Sequence, residues 1–397
     1  MRTATALLLL VSLGCSSETL DSPESPMERP DDRRNPPTGT PAESLDRALG
    51  TGDGSADSIE LVTLFTPTGK RSATALAFDP LRDGELWVTL RRFPTEAPCT
   101  TTVQTGCAAL VGNVALLQDA TSDAPVVTMK EDGNAWHFMR RPTSIAFGTN
   151  GNLATCGEAR TANYEDQPTN YNGPTLWSSD PAIFGVPPEP GQNGTHLDML
   201  HETPYCMGIA HERDNVYWTF NGELGAIDRY DFNEPHQIGG EDHSDGELFR
   251  YVEGEVKREP EIPSHLAYDK ERDVLYVADT GNGRIARLDA KAGEEAEPLV
   301  TNEHIHKAVR MTGVTLEDFV PPGTLELPSG LVFHHGHLYV TDNATSRIHA
   351  FDREGALVRT LDTGLPPGSL SGITIGPDGR TYITDRLTGQ VYRIEPL

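Results

Sequence analysis

The sequence predicts an all-β protein, a six-bladed β-propeller that is closed by an N-terminal strand joining the C-terminal blade. Three observations support this prediction. One strand–turn–strand pattern recurs six times, no long helical period separates the copies, and the last copy is one strand short. The 38 glycines and 30 prolines suit many short strands that are joined by turns.

The six copies share a small or polar first residue, alternating apolar residues, a turn and a second strand. Their first positions are Ala75, Ser144, Gly208, His265, Gly330 and Gly372. Six such antiparallel units in succession are typical of propeller blades around a central channel. The first strand of each blade lines that channel, where converging strands require small residues, and His265 is the exception among the six.

Closure of the ring is predicted from the two ends of the repeat region. The sixth copy contains strands near residues 371–376, 380–385 and 389–394, without an outer strand after them. The segment 60–65, which precedes the first copy, has the composition of an outer strand. We therefore expect it to complete the sixth blade, because this leaves no open sheet edge.

The last three copies carry a further motif at the end of the second strand. This strand ends in Asp279, Asp342 and Asp385, and Arg-Ile follows at 284–285 and 347–348, with Gln-Val at 390–391. These copies resemble NHL repeats over residues 264–397. Residues 73–232 follow only the general pattern, with Leu90, Cys156 and Phe220 at the Asp position. The resemblance implies a propeller in which this Asp and Arg tie strands together.

The N-terminus has the features of an export signal. Residues 1–14 contain Arg2 and a short apolar run that is too short to span a bilayer, and they predict a signal peptide. The segment 12–15 resembles a bacterial lipobox, which implies lipidation of Cys15 and a cell-envelope protein held to the membrane by this lipid. Ser16 after the cysteine favours the outer membrane. Ordinary signal cleavage that leaves a free Cys15 is the alternative.

The chain then divides into a tether and a folded domain. Residues 15–56 are rich in Ser, Pro and charged residues, and they predict a lipidated, disordered tether. Residues 57–397 are expected to form the propeller as a monomer. The formal net charge of −27 argues against a nucleic-acid partner, because phosphates would be repelled.

Four cysteines remain after Cys15, and in an oxidising compartment they predict two disulfides. Cys99 and Cys107 enclose a short Thr-rich loop and pair naturally. Cys156 and Cys206 are expected to brace blades two and three. Zinc ligation and unpaired thiols are the alternatives, although no CxxC spacing is present.

A metal site is the first candidate for chemistry. His137, His201 and His265 lie within or just before inner strands, so three imidazoles near one end of the channel would hold a divalent ion, Zn²⁺ or Ca²⁺. For His265 the alternative is a packing histidine that plugs the channel. Glu158 and Arg160, in a long polar insertion, are the candidate proton-handling or substrate-binding pair, with a solvated surface pair as the alternative.

Two functions follow from these features. The first is a non-enzymatic binding module of the cell envelope, whose partner is an envelope protein or a small-molecule ligand. The second is a metal-dependent hydrolase or lyase with a histidine site at the channel mouth. No recognised catalytic signature decides between them, and the sequence leaves enzymatic activity open.

Overall fold

The computed structural model describes residues 40–92, 111–163, 171–186, 189–190 and 192–397. The predicted signal peptide, the lipidation site Cys15 and the predicted Cys99–Cys107 disulfide lie outside these residues. Twenty-six strands are present in the described part of the chain, and they form six sheets.

Each sheet is one blade, and its strands follow one another outward from the axis. A first strand, β1 (Ile59–Phe65), precedes blade 1. Blade 1 contains β2 (Arg71–Phe78), β3 (Leu86–Arg92), β4 (Gly112–Gln118) and β5 (Val126–Lys130). Blade 2 contains β6 (Pro142–Phe147), β7 (Asn152–Gly157), β8 (Thr175–Ser178) and β9 (His196–Met199). Blade 3 contains β10 (Cys206–Arg213), β11 (Val216–Asn221), β12 (Ala226–Asp231) and β13 (Glu247–Tyr251).

The second half of the chain repeats this order. Blade 4 contains β14 (Leu266–Asp269), β15 (Val274–Asp279), β16 (Arg284–Asp289) and β19 (Glu317–Val320). Between its last two strands, β17 (Glu294–Pro298) and β18 (Lys307–Thr312) form a hairpin that extends blade 3, with β18 parallel to β13. Blade 5 contains β20 (Pro328–His334), β21 (His337–Asp342), β22 (Arg347–Phe351) and β23 (Leu357–Asp362). Blade 6 contains β24 (Leu370–Ile375), β25 (Thr381–Asp385) and β26 (Val391–Pro396).

The predicted closure of the ring is confirmed. Strand β1 pairs antiparallel with β26 and becomes the fourth strand of blade 6, with Leu61 opposite Ile394 and Thr63 opposite Tyr392. The sheet order β1-β26-β25-β24 therefore joins the first strand of the chain to the last. Because the edge of β26 is paired, blade 6 has the same four strands as its neighbours.

The blades meet at a narrow centre, as the small first residues predict. An ideal Cβ added to Gly208 would lie 2.0 Å from the carbonyl oxygen of Ser264, and one added to Gly330 would lie 2.1 Å from that of Ser371. Real Cβ atoms do not approach a backbone oxygen so closely. A larger residue at either position would push neighbouring blades apart.

Buried hydroxyl groups connect one blade to the next around the axis. They donate to backbone carbonyls of the adjacent inner strand, at 2.6–3.0 Å: Thr74 to Pro142, Thr143 to Cys206, Thr280 to Pro328, Thr341 to Ser371, and Ser371 to Ala73. Ser329 donates in the opposite direction, to Pro263. These bonds satisfy carbonyls that the inner strand cannot pair within its own sheet.

The N-terminal boundary of the folded domain differs from the prediction. Residues 40–56, expected in the disordered tether, contain the helix α1 (Pro41–Leu49), which begins with a capping box between Thr40 and Glu43. Leu45 and Leu49 are buried in the hydrophobic core between blades 5 and 6. The polar composition of this segment predicts disorder, but the few apolar residues of the helix lie on one face and are stabilised by packing against the propeller.

A second helix, α2 (Ala135–Phe138), and two 3₁₀ turns, Ala56–Ser58 and Thr280–Asn282, complete the elements of the described chain. In this part of the protein no helix has the length and apolar character needed to cross a membrane.

Two further predictions are confirmed. Cys156 at the end of β7 and Cys206 at the start of β10 form a disulfide, with a Cα–Cα distance of 5.3 Å, and it links blades 2 and 3. The repeat Asp also has a structural role: Asp279 forms a 2.7 Å salt bridge with Arg284 and accepts the amide of Lys257. In blade 5 the corresponding Arg347 pairs with Asp362 of the outer strand and not with Asp342, the repeat Asp of that blade.

Candidate functional site

A buried network of charged side chains lies on the propeller axis, at the end where the second strands finish. Its centre is Glu158, which directly follows β7 in blade 2 and has a side chain only 3% exposed. One carboxylate oxygen of Glu158 accepts from Arg91 of blade 1 at 2.9 Å, and the other from Arg258 at 3.0 Å. Arg258 precedes blade 4, so these contacts cross the ring and join blades 1 and 2 to the segment before blade 4.

A second carboxylate, Glu261, joins the network from the same segment before blade 4. Arg91 donates to its carboxylate at 2.9 Å and to its carbonyl oxygen at 2.6 Å. Arg141, just before β6, contacts both Glu158 and Glu261. Burial alone would raise the pKa of Glu261, but the guanidinium groups of Arg91 and Arg141 outweigh it and lower this pKa. Glu261 therefore stays ionised.

A fourth arginine, Arg386, extends the network from blade 6. It directly follows β25, and its pKa is lowered, first by burial and then by the charge of Arg91. Among the residues that the structure describes, Arg386 has no salt bridge. Its Nη1 donates to the carbonyl of Gly368 at 3.3 Å, and its buried Nε has no acceptor. Within the described residues, four guanidinium groups thus lie around Glu158 and Glu261, and Asp385 is a further negative charge that acts on Arg386.

Two members of the network have a backbone conformation that residues other than glycine rarely adopt. The φ angles are +45° at Arg141 and +71° at Glu261. A non-glycine residue in this left-handed region costs about 1–3 kcal/mol, and such residues cluster at functional sites. Here the conformation brings both side chains to the channel mouth, and the surrounding salt bridges hold them there.

Arg160 does not belong to this network, and the predicted pair with Glu158 is wrong. Within the described residues, Arg160 pairs with Glu223 through two contacts of 2.7 and 2.8 Å, and its guanidinium lies 5.3 Å from the Tyr171 ring. Residues 158 and 160 diverge because the chain leaves β7 at this point. Glu158 turns inward to the axis, whereas Arg160 remains near the surface.

His265 reaches across the axis but does not lie with the other proposed ligands. Its Nε2 donates to the carbonyl oxygen of Thr143 in blade 2, at 2.9 Å, and burial lowers its pKa to about 4. This neutral histidine closes the channel, as the packing alternative predicted. Among the described residues, His137, His201 and His265 do not come together as a group of possible ligands, so the predicted metal triad is wrong as a set.

His137 and His201 are neighbours, with ring centroids 5.3 Å apart, but they lie toward the outer strands of blade 2. His137 belongs to α2, and His201 follows β9, the outermost strand of that blade. Burial, and next the charge of His201, lower the pKa of His137 to about 3. Three further histidines, His196, His236 and His243, lie beside this pair. His137 and His201 are thus neighbours, as predicted, but they lie near the outer part of blade 2 and not at the end of the channel.

Comparisons with known proteins agree with this architecture. No protein-family model matches the chain. The human NHL repeat-containing protein 2 is 28% identical over 170 residues, which are 42% of this chain and 21% of that protein, so the chain spans about a fifth of its curated relative. Among solved structures, an auxiliary nutrient binding protein of Bacteroides ovatus has a TM-score of 0.51 at 12% identity, covering 85% of this chain and 76% of that one.

A gluconolactonase of Xanthomonas campestris has a TM-score of 0.49 at 16% identity, covering 89% of this chain and 92% of that one. The likeness to the nutrient binding protein, at 12% identity, supports the fold and not the chemistry. Taken with the six sheets, the Asp–Arg motif and the partial sequence match, it leads to one conclusion. The chain forms a six-bladed β-propeller whose repeats are similar to NHL repeats.

Proposed function

We propose that the protein is a binding module of the bacterial cell envelope, which takes a small anionic molecule at the mouth of its central channel. The observation that carries this proposal is the arginine-rich network on the axis, and in particular the guanidinium of Arg386, which has no carboxylate partner in the described chain. The ligand class is a small molecule with a carboxylate or phosphate group.

The chemistry of the network favours an anion over other ligands. A guanidinium group presents N–H donors in a fork that matches the oxygens of carboxylates and phosphates. Arg386 is partly buried and lies near the positive charge of Arg91, and both effects disfavour its charged form. A bound anion would stabilise that charged form. The protein as a whole has a net charge of −27 and therefore repels anions. The cluster of arginines at the channel mouth is a local region that attracts them.

A metal-dependent hydrolase or lyase at the channel mouth has less support. His265 is held by Thr143, and the other proposed ligands lie on the outer part of blade 2. The groups that line the mouth are instead those that bind and orient an anion. The proposed role of the channel mouth is therefore binding and not catalysis.

The test is binding of citrate, succinate and inorganic phosphate at low ionic strength, measured by titration calorimetry and by thermal shift. We expect at least one probe to bind the native protein and to bind Arg386→Gln about 10-fold or more weakly, since a hydrogen bond to a charged group contributes about 1.5–3 kcal/mol. The matched control is Arg353→Gln, which removes an arginine that pairs with Glu271 on the surface.

The control should bind as the native protein does. The proposal is wrong if no carboxylate or phosphate binds the native protein, or if Arg386→Gln and Arg353→Gln bind the probes equally well.

A further inference from the structure

Three histidines converge between the outer strand of blade 2 and the loop before the outer strand of blade 3. His196 begins β9, while His236 and His243 lie in the loop between β12 and β13. Possible ligand atoms of the three rings all lie within 4.8 Å of one another. The ring centroids of His236 are 4.9 Å from His196 and 5.2 Å from His243.

The hydrogen bonds of these histidines determine which nitrogen is free. In each ring Nδ1 faces an oxygen acceptor: the carbonyl of Asn193 at 2.9 Å for His196, the carbonyl of Gln237 at 2.7 Å for His236, and a carboxylate oxygen of Asp198 at 2.7 Å for His243. These oxygens accept, so Nδ1 carries the proton. At His243 the amide of Met199 also approaches Nδ1, but at 3.5 Å this contact is much longer than the 2.7 Å bond to Asp198. In a neutral imidazole the lone pair then lies on Nε2.

At His236 this second nitrogen is buried and has no hydrogen-bond partner within the described residues. A buried polar atom without a partner is unfavourable, and native proteins rarely keep one without a reason. Metal-binding histidines usually donate their other N–H to a carboxylate or carbonyl, which is the arrangement found here three times.

The surroundings hold the rings in place and favour a cation. The ring of Phe138 stacks on His196 at a centroid distance of 3.7 Å. Asp198 is fully buried beside His243, and Glu303 and Asp242 also act on His243 as negative charges. A fixed set of donors in a negative field is more favourable for a divalent cation than a mobile surface cluster would be.

We propose that His196, His236 and His243 form a Zn²⁺ site through their Nε2 atoms. Three imidazoles suit zinc, whereas calcium prefers oxygen ligands, so Zn²⁺ is preferred over Ca²⁺. Three protein ligands leave the fourth position of a tetrahedral ion to water or another small ligand. This site is separate from the channel mouth and does not depend on anion binding there.

The experiment uses the full chain without a histidine tag, and Zn²⁺ alone is the probe. Zinc content is measured after dialysis against Zn²⁺, and affinity is measured by competition with a chromophoric chelator. We expect one zinc ion per chain, and a spectrum typical of tetrahedral coordination when Co²⁺ replaces it. Loss of one of three ligands in His236→Ala should weaken binding more than about 100-fold.

Two controls make the assignment specific. His306→Ala removes an exposed histidine outside the cluster and should leave zinc binding unchanged. His201→Gln removes a neighbouring histidine whose Nδ1 is bonded to the Tyr171 carbonyl, and it should also retain one zinc ion. Circular dichroism reports whether each variant is folded, and His243→Gln replaces His236→Ala if the latter is not.

The proposal is overturned if the native protein binds no zinc. It is also overturned if a folded His236→Ala or His243→Gln variant binds zinc as tightly as the native chain, or if His201→Gln abolishes binding.

Discussion

At the scale of single residues, burial and hydrogen bonding decide roles that residue type leaves open. His265 and His196 are both buried histidines, yet the Nε2 of His265 donates to Thr143, whereas the hydrogen bond of His196 uses Nδ1. The first closes the channel, and the second keeps a nitrogen available for a ligand. Sequence alone proposes His265 as a ligand and does not separate these roles, because the acceptor of His265 lies 122 residues away in the chain.

His265 should make the stability of the protein depend on pH in a defined direction. Its pKa is about 4 in the folded protein, against about 6.5 in an unfolded chain, so only the unfolded state binds a proton between these values. The free energy of unfolding should therefore fall as the pH drops from 6.5 to 4, by about 3 kcal/mol from this residue.

Denaturant unfolding at several pH values checks this prediction. In His265→Gln, which retains a donor for the Thr143 carbonyl, the fall over this interval should be smaller than in the native protein. In His306→Gln, whose histidine is exposed, it should be unchanged. Equal pH dependence in the native protein and His265→Gln would contradict the assignment.

At the scale of elements, the repeat pattern predicted the inner and second strands but not the segments that connect blades. All six first strands occur where the pattern places them, and β1 completes blade 6. The helix α1 and the β17–β18 hairpin were missed. Each lies outside the six repeats and is short, and each is stabilised by packing or pairing with another part of the chain.

Helix α1 should contribute measurably to stability, although it lies outside the six repeats. Leu49 is 2% exposed in the core shared by blades 5 and 6, so Leu49→Ala should lower the free energy of unfolding by about 2–5 kcal/mol. If the helix detaches before the ring unfolds, the effect will instead appear as faster amide exchange over residues 41–49.

The matched control is Arg47→Ala in the same helix, where the side chain is exposed and the expected change is below about 0.5 kcal/mol. Denaturant unfolding and hydrogen exchange of the two variants give the comparison. Equal behaviour of Leu49→Ala and the native protein would show that α1 is not docked in solution.

At the scale of the whole molecule, the ring brings together residues that are distant along the chain. Glu158 and Arg258 are 100 residues apart, and Arg91 and Glu261 are 170 apart, yet they share one network. The sequence does contain one signal for this network. Arg91 lies near the end of the second strand of blade 1, and Glu158 and Arg386 directly follow the second strands of blades 2 and 6. Since all second strands end at the same face, charged residues at this position meet at the channel mouth.

The proposed attachment to the cell envelope is also a property of the whole molecule. We expect the protein to fractionate with membranes in a bacterial host and to incorporate a fatty-acid label. Cys15→Ala should be recovered without lipid in the soluble fraction, because one residue supplies the acylation site. Ser17→Ala is the matched control and should remain membrane-bound. Membrane association that persists unchanged in Cys15→Ala would contradict lipidation at this position.

The sequence by itself determined the all-β class, the number of blades and the joining of the two ends, because these follow from local periodicity and repetition. It also predicted the Cys156–Cys206 pairing, and the structure decided it against unpaired thiols and zinc ligation. Only the tertiary structure decided the charged network at the channel mouth, the separation of His265 from the other histidines and the convergence of His196, His236 and His243. Side-chain direction and hydrogen-bond partners depend on neighbours from other blades. Those neighbours are defined only when the ring is closed.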